Sequence, residues 1–265
     1  WRVHFRASKP VFTGIRMTYC VGLLLDQGLV FMSDTRTNAG VDNISTVTKM
    51  KVWSRPGDRF LCLLSAGNLA TTQAAISLLE ERGLHPSQRN PSLFEQPSMF
   101  QTAKLVGETL KEVISYTTPS GQQADSRFAG TFLLGGQIKG GAPRLFMIYP
   151  EGNFIEAGAD NRFFQIGEHK YGRPILVRTY DHSMSLEEAV KLLLVSFDST
   201  IKSNLSVGLP IDLQTYRSGT LEAGYHQRFD ERDPYYQTIS DGWSGALKEA
   251  FDRLPPFLPD APVNG

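Results

Sequence analysis

Thr18, Asp34 and Lys49 are the residues of this chain whose types and spacing suggest chemistry. Thr18 follows Met17 and opens an apolar run, Asp34 lies sixteen residues later at the end of a second run, and Lys49 falls in the next patterned segment. Removal of everything through Met17 would leave Thr18 with a free α-amine, whose ordinary pKa of about 7.7–8.0 suits a general base near neutrality. One residue would then supply nucleophile and base together: the hydroxyl attacks an acyl carbon and the adjacent amine takes its proton. An ammonium on Lys49 would favour the neutral amine by like-charge repulsion, and Asp34 would hold that ammonium in place. Gly67, in Ser65-Ala66-Gly67-Asn68, would bring a bare backbone N–H to a developing oxyanion. Each feature has an ordinary alternative. Thr18 is also a β-former at a strand start, Asp34 and Lys49 could make a surface ion pair worth about 0–1 kcal/mol, and Gly67 could be a turn glycine. Spacing by itself leaves both readings open.

Other signatures of catalysis are missing from the sequence. It has no G-x-S-x-G elbow, no G-x-x-x-x-G-K-[ST] phosphate loop and no H-E-x-x-H. The five histidines are scattered without metal-ligand spacing, so neither metal nor cofactor is expected. The glycines between 135 and 141 sit between two strand-like runs and read as a hairpin turn rather than a phosphate cradle. Cys20 shares the face of Thr18 if the strand is regular, but it is internal and reads as a packed thiol.

The elements that must position these residues follow from periodicity. Residues 19–25 and 29–33 read as a hairpin of buried strands around Asp26-Gln27-Gly28. Residues 35–45 read as a loop or poorly paired strand, 47–53 and 60–64 as further strands around Arg55-Pro56-Gly57-Asp58, the four strands forming one compact layer. Asn68 caps an expected helix over 69–81 that buries Ala70, Ala74, Ile76, Leu78 and Leu79 and stops at Gly83. Residues 85–97 read as a surface excursion and 99–116 as a second helix. Strands are expected at 128–138, 144–149, 154–156, 163–166 and 211–216, and helices at 186–201 and 243–253. Blocks of strands and helices in this order indicate segregated layers, an α+β fold.

Composition bounds the partners. The 265 residues carry 27 basic and 27 acidic side chains, a formal net charge of zero, which argues against a nucleic-acid partner. The apolar runs fall far short of the roughly 20 residues a membrane helix needs. Two cysteines cannot build a disulfide framework, so a reducing, cytoplasmic setting is expected. Residues 1–16 lack a continuous apolar stretch and read as an N-terminal extension or propeptide, with one domain over 17–265 ending in a Pro-rich tail.

Several strings resemble one family. Met17-Thr18-Tyr19-Cys20-Val21-Gly22, the run Leu29-Val30-Phe31-Met32-Ser33-Asp34-Thr35-Arg36-Thr37-Asn38-Ala39-Gly40, and Thr48-Lys49-Met50 are similar to the opening of Anbu, the bacterial proteasome-like family related to HslV peptidase and proteasome β subunits. Gln165-Ile166-Gly167-Glu168-His169-Lys170-Tyr171-Gly172 and Ser203-Asn204-Leu205-Ser206-Val207-Gly208 resemble the same family. The resemblance implies an N-terminal-nucleophile hydrolase fold, a four-layer αββα sandwich, and a threonine-type peptidase or amide hydrolase acting on peptide or unfolded protein. It places nucleophile, acidic partner and lysine on Thr18, Asp34 and Lys49, and the oxyanion amide on Gly67. Thr37 and Asn38 would pair with extended substrate. The resemblance also implies self-assembly into a ring or open spiral. Two positions depart from proteasome β subunits: Glu168 stands where a serine supports the terminal amine, and Asn204 where an aspartate contacts the nucleophile's surroundings. Arg36 and Glu168 are therefore candidate modulators, with Glu168 free to pair with Lys49 or Arg36. An assembling subunit with vestigial catalysis, and an amidase or acyl-transfer enzyme on a specialised substrate, are the competing readings.

Overall fold

The computed structural model describes residues 18–38, 44–84, 91–117 and 128–257. The sequence reading of 1–17 and of the end of the Pro-rich tail lies outside them. Two five-stranded antiparallel sheets face each other. The first orders its strands β10 (Phe163–Gly167), β1 (Tyr19–Leu25), β2 (Gly28–Asp34), β11 (Ile211–Arg217) and β12 (His226–Phe229). The second runs β5 (Met50–Arg55), β6 (Arg59–Gly67), β7 (Gly130–Ile138), β8 (Arg144–Ile148) and β9 (Phe154–Glu156). A small ribbon, β3 (Arg36–Asn38) with β4 (Ile44–Thr46), projects beyond β2. The four early strands thus do not make one layer: two enter each sheet.

Alternation explains the layering. On β1, Tyr19, Val21, Leu23 and Leu25 face α3 (Arg173–Thr179), α4 (Leu186–Ser203) and α5 (Pro234–Asp252). Cys20 faces the other way, joining Phe31, Phe60, Cys62, Leu133 and Tyr216 in the core between the sheets. The far face of the second sheet packs Leu61, Leu63, Phe132 and Phe146 against α1 (Leu69–Leu84) and α2 (Met99–Thr117). Strands buried on both faces lose the polar alternation of a half-exposed sheet, which is why they read as continuous apolar runs. The result is an αββα sandwich.

Several boundaries differ from expectation. Residues 47–49 stay outside the sheet, and β5 begins only at Met50. Asn68 does cap α1, its Oδ1 accepting the Thr71 N–H at 3.1 Å, yet the helix runs through Gly83 to Leu84. It buries Thr71, Thr72, Ala75 and Leu79, leaving Ala70 and Ala74 exposed, and the Thr72 methyl lies against Gly130 of β7. Part of the expected surface excursion is held in: Ser92 and Leu93 are buried beneath the Arg59 guanidinium. The glycines of β7 are packing glycines. A Cβ on Gly135 would stand 2.5 Å from the Phe31 ring and one on Gly136 2.2 Å from the Phe60 carbonyl, so no phosphate cradle exists there.

Candidate active site

Thr18 precedes β1, is 7% exposed, and extends the ladder with β10 because its carbonyl accepts the Glu168 N–H. Gly167 permits that approach. It adopts φ +83°, and a Cβ there would lie 1.8 Å from the Thr18 carbonyl oxygen. Strand alternation turns Thr18 to the Cys20 side, toward the space between the sheets.

Asp34 ends β2 beside it. This fully buried carboxylate uses Oδ1 to accept the Tyr19 N–H at 2.9 Å and the Lys49 ammonium at 2.7 Å. The Tyr19 nitrogen belongs to the peptide bond that leaves Thr18, so the carboxylate is fixed to the peptide plane of the candidate nucleophile. Lys49, also buried, donates a second bond to the Arg36 carbonyl at 2.7 Å. Burial pushes the Asp34 carboxyl above its ordinary value, while Lys49 and the Tyr19 and Arg36 amides pull it back. The surface-pair alternative is excluded: both partners are shielded from water, and a pair in that setting binds its members strongly once formed.

The second sheet supplies the frame for Lys49. The Lys49 carbonyl accepts the Ser65 N–H at 2.9 Å and Ser65 Oγ at 3.3 Å, and the Val47 N–H reaches the Thr35 carbonyl at 2.8 Å. Gly67 stands two residues beyond Ser65 on β6, at the same end of the sandwich. Its φ of +103° and the 2.4 Å from a built Cβ to the Ala129 carbonyl require glycine as a turn residue, whatever else its amide does. Cys20 donates its thiol to the Ser65 carbonyl at 3.6 Å, and burial raises the thiol pKa, as expected of a packed group.

The candidate modulators go elsewhere. Arg36 Nη1 donates to the Leu205 carbonyl at 2.9 Å. Glu168 is 1% exposed and pairs with neither Lys49 nor Arg36. Its carboxylate accepts Asn204 Nδ2 at 2.7 Å, the His169 N–H at 2.8 Å and the Lys170 N–H at 2.7 Å. Burial works to raise this carboxyl, but those donors outweigh it and hold Glu168 below its ordinary range. The amides of its own turn are closer at hand than any cation, and they satisfy it locally. Thr37 bonds Ser45 across the ribbon, and Asn38 pairs with Ile44.

Sequence reasoning missed Ser65 as the support of Lys49, and Arg228 of β12. Arg228 forks onto the buried Asp212 and reaches Thr48 next to Lys49. A signal for Asp212 existed: it stands between the inward apolar residues Ile211 and Leu213, so it faces the opposite side of a strand buried on both faces.

Comparison with known proteins places this geometry in context. A family model described as proteasome subunit matches residues 17–214. Among solved structures, an Anbu (Gly-1) mutant from Hyphomicrobium sp. strain MC1 is 51% identical, with a TM-score of 0.83 over 91% of this chain and 99% of that one. Anbu, an ancestral β subunit, from Yersinia bercovieri is 48% identical, with a TM-score of 0.85 over 91% of this chain and all of that one. The helical assembly of the Anbu complex from Pseudomonas aeruginosa gives 44% identity and a TM-score of 0.84 over 91% and 99%.

Proposed function

The chain belongs to the proteasome-subunit family and to its Anbu branch, and from that premise we propose that it is an N-terminal-nucleophile amide hydrolase using Thr18. The observation that carries the reading is the single carboxylate oxygen of Asp34 shared between the Tyr19 N–H and the Lys49 ammonium. It ties a buried cation to the backbone of Thr18, where that cation favours the neutral form of a freed α-amine. In this reading the Thr18 hydroxyl attacks the acyl carbon, and its amine accepts the proton and returns it to the leaving nitrogen. The Gly67 amide stabilises the oxyanion. Extended peptide lies along Thr37 and Asn38, giving a threonine-type endopeptidase that needs no cofactor.

The helical assembly of the Pseudomonas aeruginosa relative supports self-assembly of this chain as well. No helix among the described residues is long and apolar enough to cross a membrane. A second reading, an assembling subunit with silent chemistry, draws on the Glu168–Asn204 bond, which together with the amides of residues 169, 170 and 206 occupies both side chains.

A peptide epoxyketone, which reacts with the hydroxyl and amine of one terminal threonine, separates the two. The hydrolase reading expects a stable adduct on Thr18 in protein processed to that residue, and none in Thr18→Ala. Identical acyl-substrate turnover and labelling in both proteins would leave only the assembling subunit.

A further inference from the structure

Residues 47–49, which carry Lys49 to Asp34, lie outside any strand, and each is held from a different part of the chain. Thr35 holds Val47 and Ser65 holds Lys49. Thr48, exposed between them, accepts Arg228 Nη2 at its Oγ1 at 3.0 Å. Arg228 stands directly across the ladder from Asp212, and its fork closes on that carboxylate with Nε–Oδ1 at 2.6 Å and Nη2–Oδ2 at 2.9 Å. Asp212 is 1% exposed and pairs on its other side with Ser33, the residue before Asp34. A bidentate fork fixes the guanidinium plane, so the remaining N–H of Nη2 has a set direction, and it is aimed at Thr48. A cross-strand ion pair serving the sheet alone has no need of that third bond.

We propose that Arg228 is a positioning residue: by joining Asp212 to Thr48 it sets where the Lys49 ammonium stands beside Thr18. The geometry stands alone, while its consequence for catalysis rests on the hydrolase reading. Besides Asp34, the titratable and charged side chains at this end, among the described residues, include Cys20 on β1, Arg36 on β3, Glu168, His169 and Lys170 after β10, and Asp212 on β11. Thr48→Val removes the strut's contact and changes none of their charges.

The test uses protein processed to Thr18, as wild type, Thr48→Val, Arg228→Met and Arg228→Lys. One readout is the pH dependence of epoxyketone labelling. The other is the titration of the Thr18 amine itself, followed by trace acetylation with acetic anhydride and mass spectrometry, which needs no turnover. Release of Lys49 by about 1 Å weakens its repulsion of the amine, so the acid limb in Thr48→Val moves upward by roughly half a pH unit with the melting temperature unchanged. Arg228→Lys, which keeps the charge but not the fork, restores folding where Arg228→Met loses it and retains the shift. A wild-type amine titration in Thr48→Val and Arg228→Lys overturns the proposal. A shifted titration in a protein that never labels would leave the strut standing and remove the hydrolase reading.

Discussion

A buried cation sits at each end of strand β6, Arg59 as part of the strand and Lys49 anchored to it through Ser65, and the two are held differently. At its beginning, Arg59 donates to the Leu93 and Gln96 carbonyls at 2.8 and 3.0 Å and to the part-exposed Asp58. Its partners are mostly neutral loop carbonyls, and removing it frees a loop. Near its other end, Ser65 anchors Lys49, which donates to the Arg36 carbonyl and to a fully buried carboxylate bonded to the peptide of Thr18, the candidate nucleophile. The exposures are close, 6% for Arg59 and 4% for Lys49, so burial does not separate structure from chemistry. Each cation bonds a carboxylate and backbone carbonyl oxygen. What separates them is that the Asp58 carboxylate is part-exposed, whereas Asp34 is fully buried and shared between a lysine and a backbone amide, so it holds a charge at a chosen place.

The contrast is broken if both cations respond alike to removal. Lys49→Met leaves the Asp34 charge buried without its cation. It should cost about 3–5 kcal/mol in denaturant melts and abolish epoxyketone labelling of the folded fraction. Arg59→Met strands two carbonyls at about 1–3 kcal/mol each, and in conditions where the protein is folded it should label at the wild-type rate. Gly167→Ala tests the site end through backbone alone. A side chain at φ +83° against the Thr18 carbonyl should cost roughly 1–3 kcal/mol and slow labelling by displacing Thr18.

Glu168 gives the smallest effect and the sharpest sign. Its folded pKa is depressed, so its contribution is present above the ordinary carboxylate pKa and disappears as pH falls through the lower folded value. Glu168→Gln should therefore melt with less dependence on pH in the acid range than wild type, while the two differ least once Glu168 is protonated. Equal slopes in both proteins would mean that Asn204 and the turn amides do not hold the charged form.

The core of the site was legible because it is local in sequence. Thr18 and Asp34 sit at the neighbouring ends of a hairpin, and Lys49 follows one excursion later, so strand periodicity alone brings two of them to one end. The sheet assignment was not legible, since buried strands of either sheet show the same apolar run and nothing local says that β5 and β6 turn to face β1 and β2. Helix α3 and strand β12 went unseen because they are short, and the start of α5 was missed although Asp233 and Pro234 mark it as cap and first turn. The partner of Glu168 was misjudged for another reason. Long-range pairing with a cation was expected from charge, but the amides of residues 169 and 170 are fixed beside it by the turn. Arg228 reaches Thr48 across 180 residues of chain, a contact that periodicity cannot show.

The central claim requires a nitrogen that exists only after cleavage before Thr18. The direct measurement is the mass of the N-terminal peptide of protein purified from its native host. The account predicts a peptide beginning at Thr18 with an unmodified amine. A peptide that retains Met17, or begins upstream of it, would contradict the account.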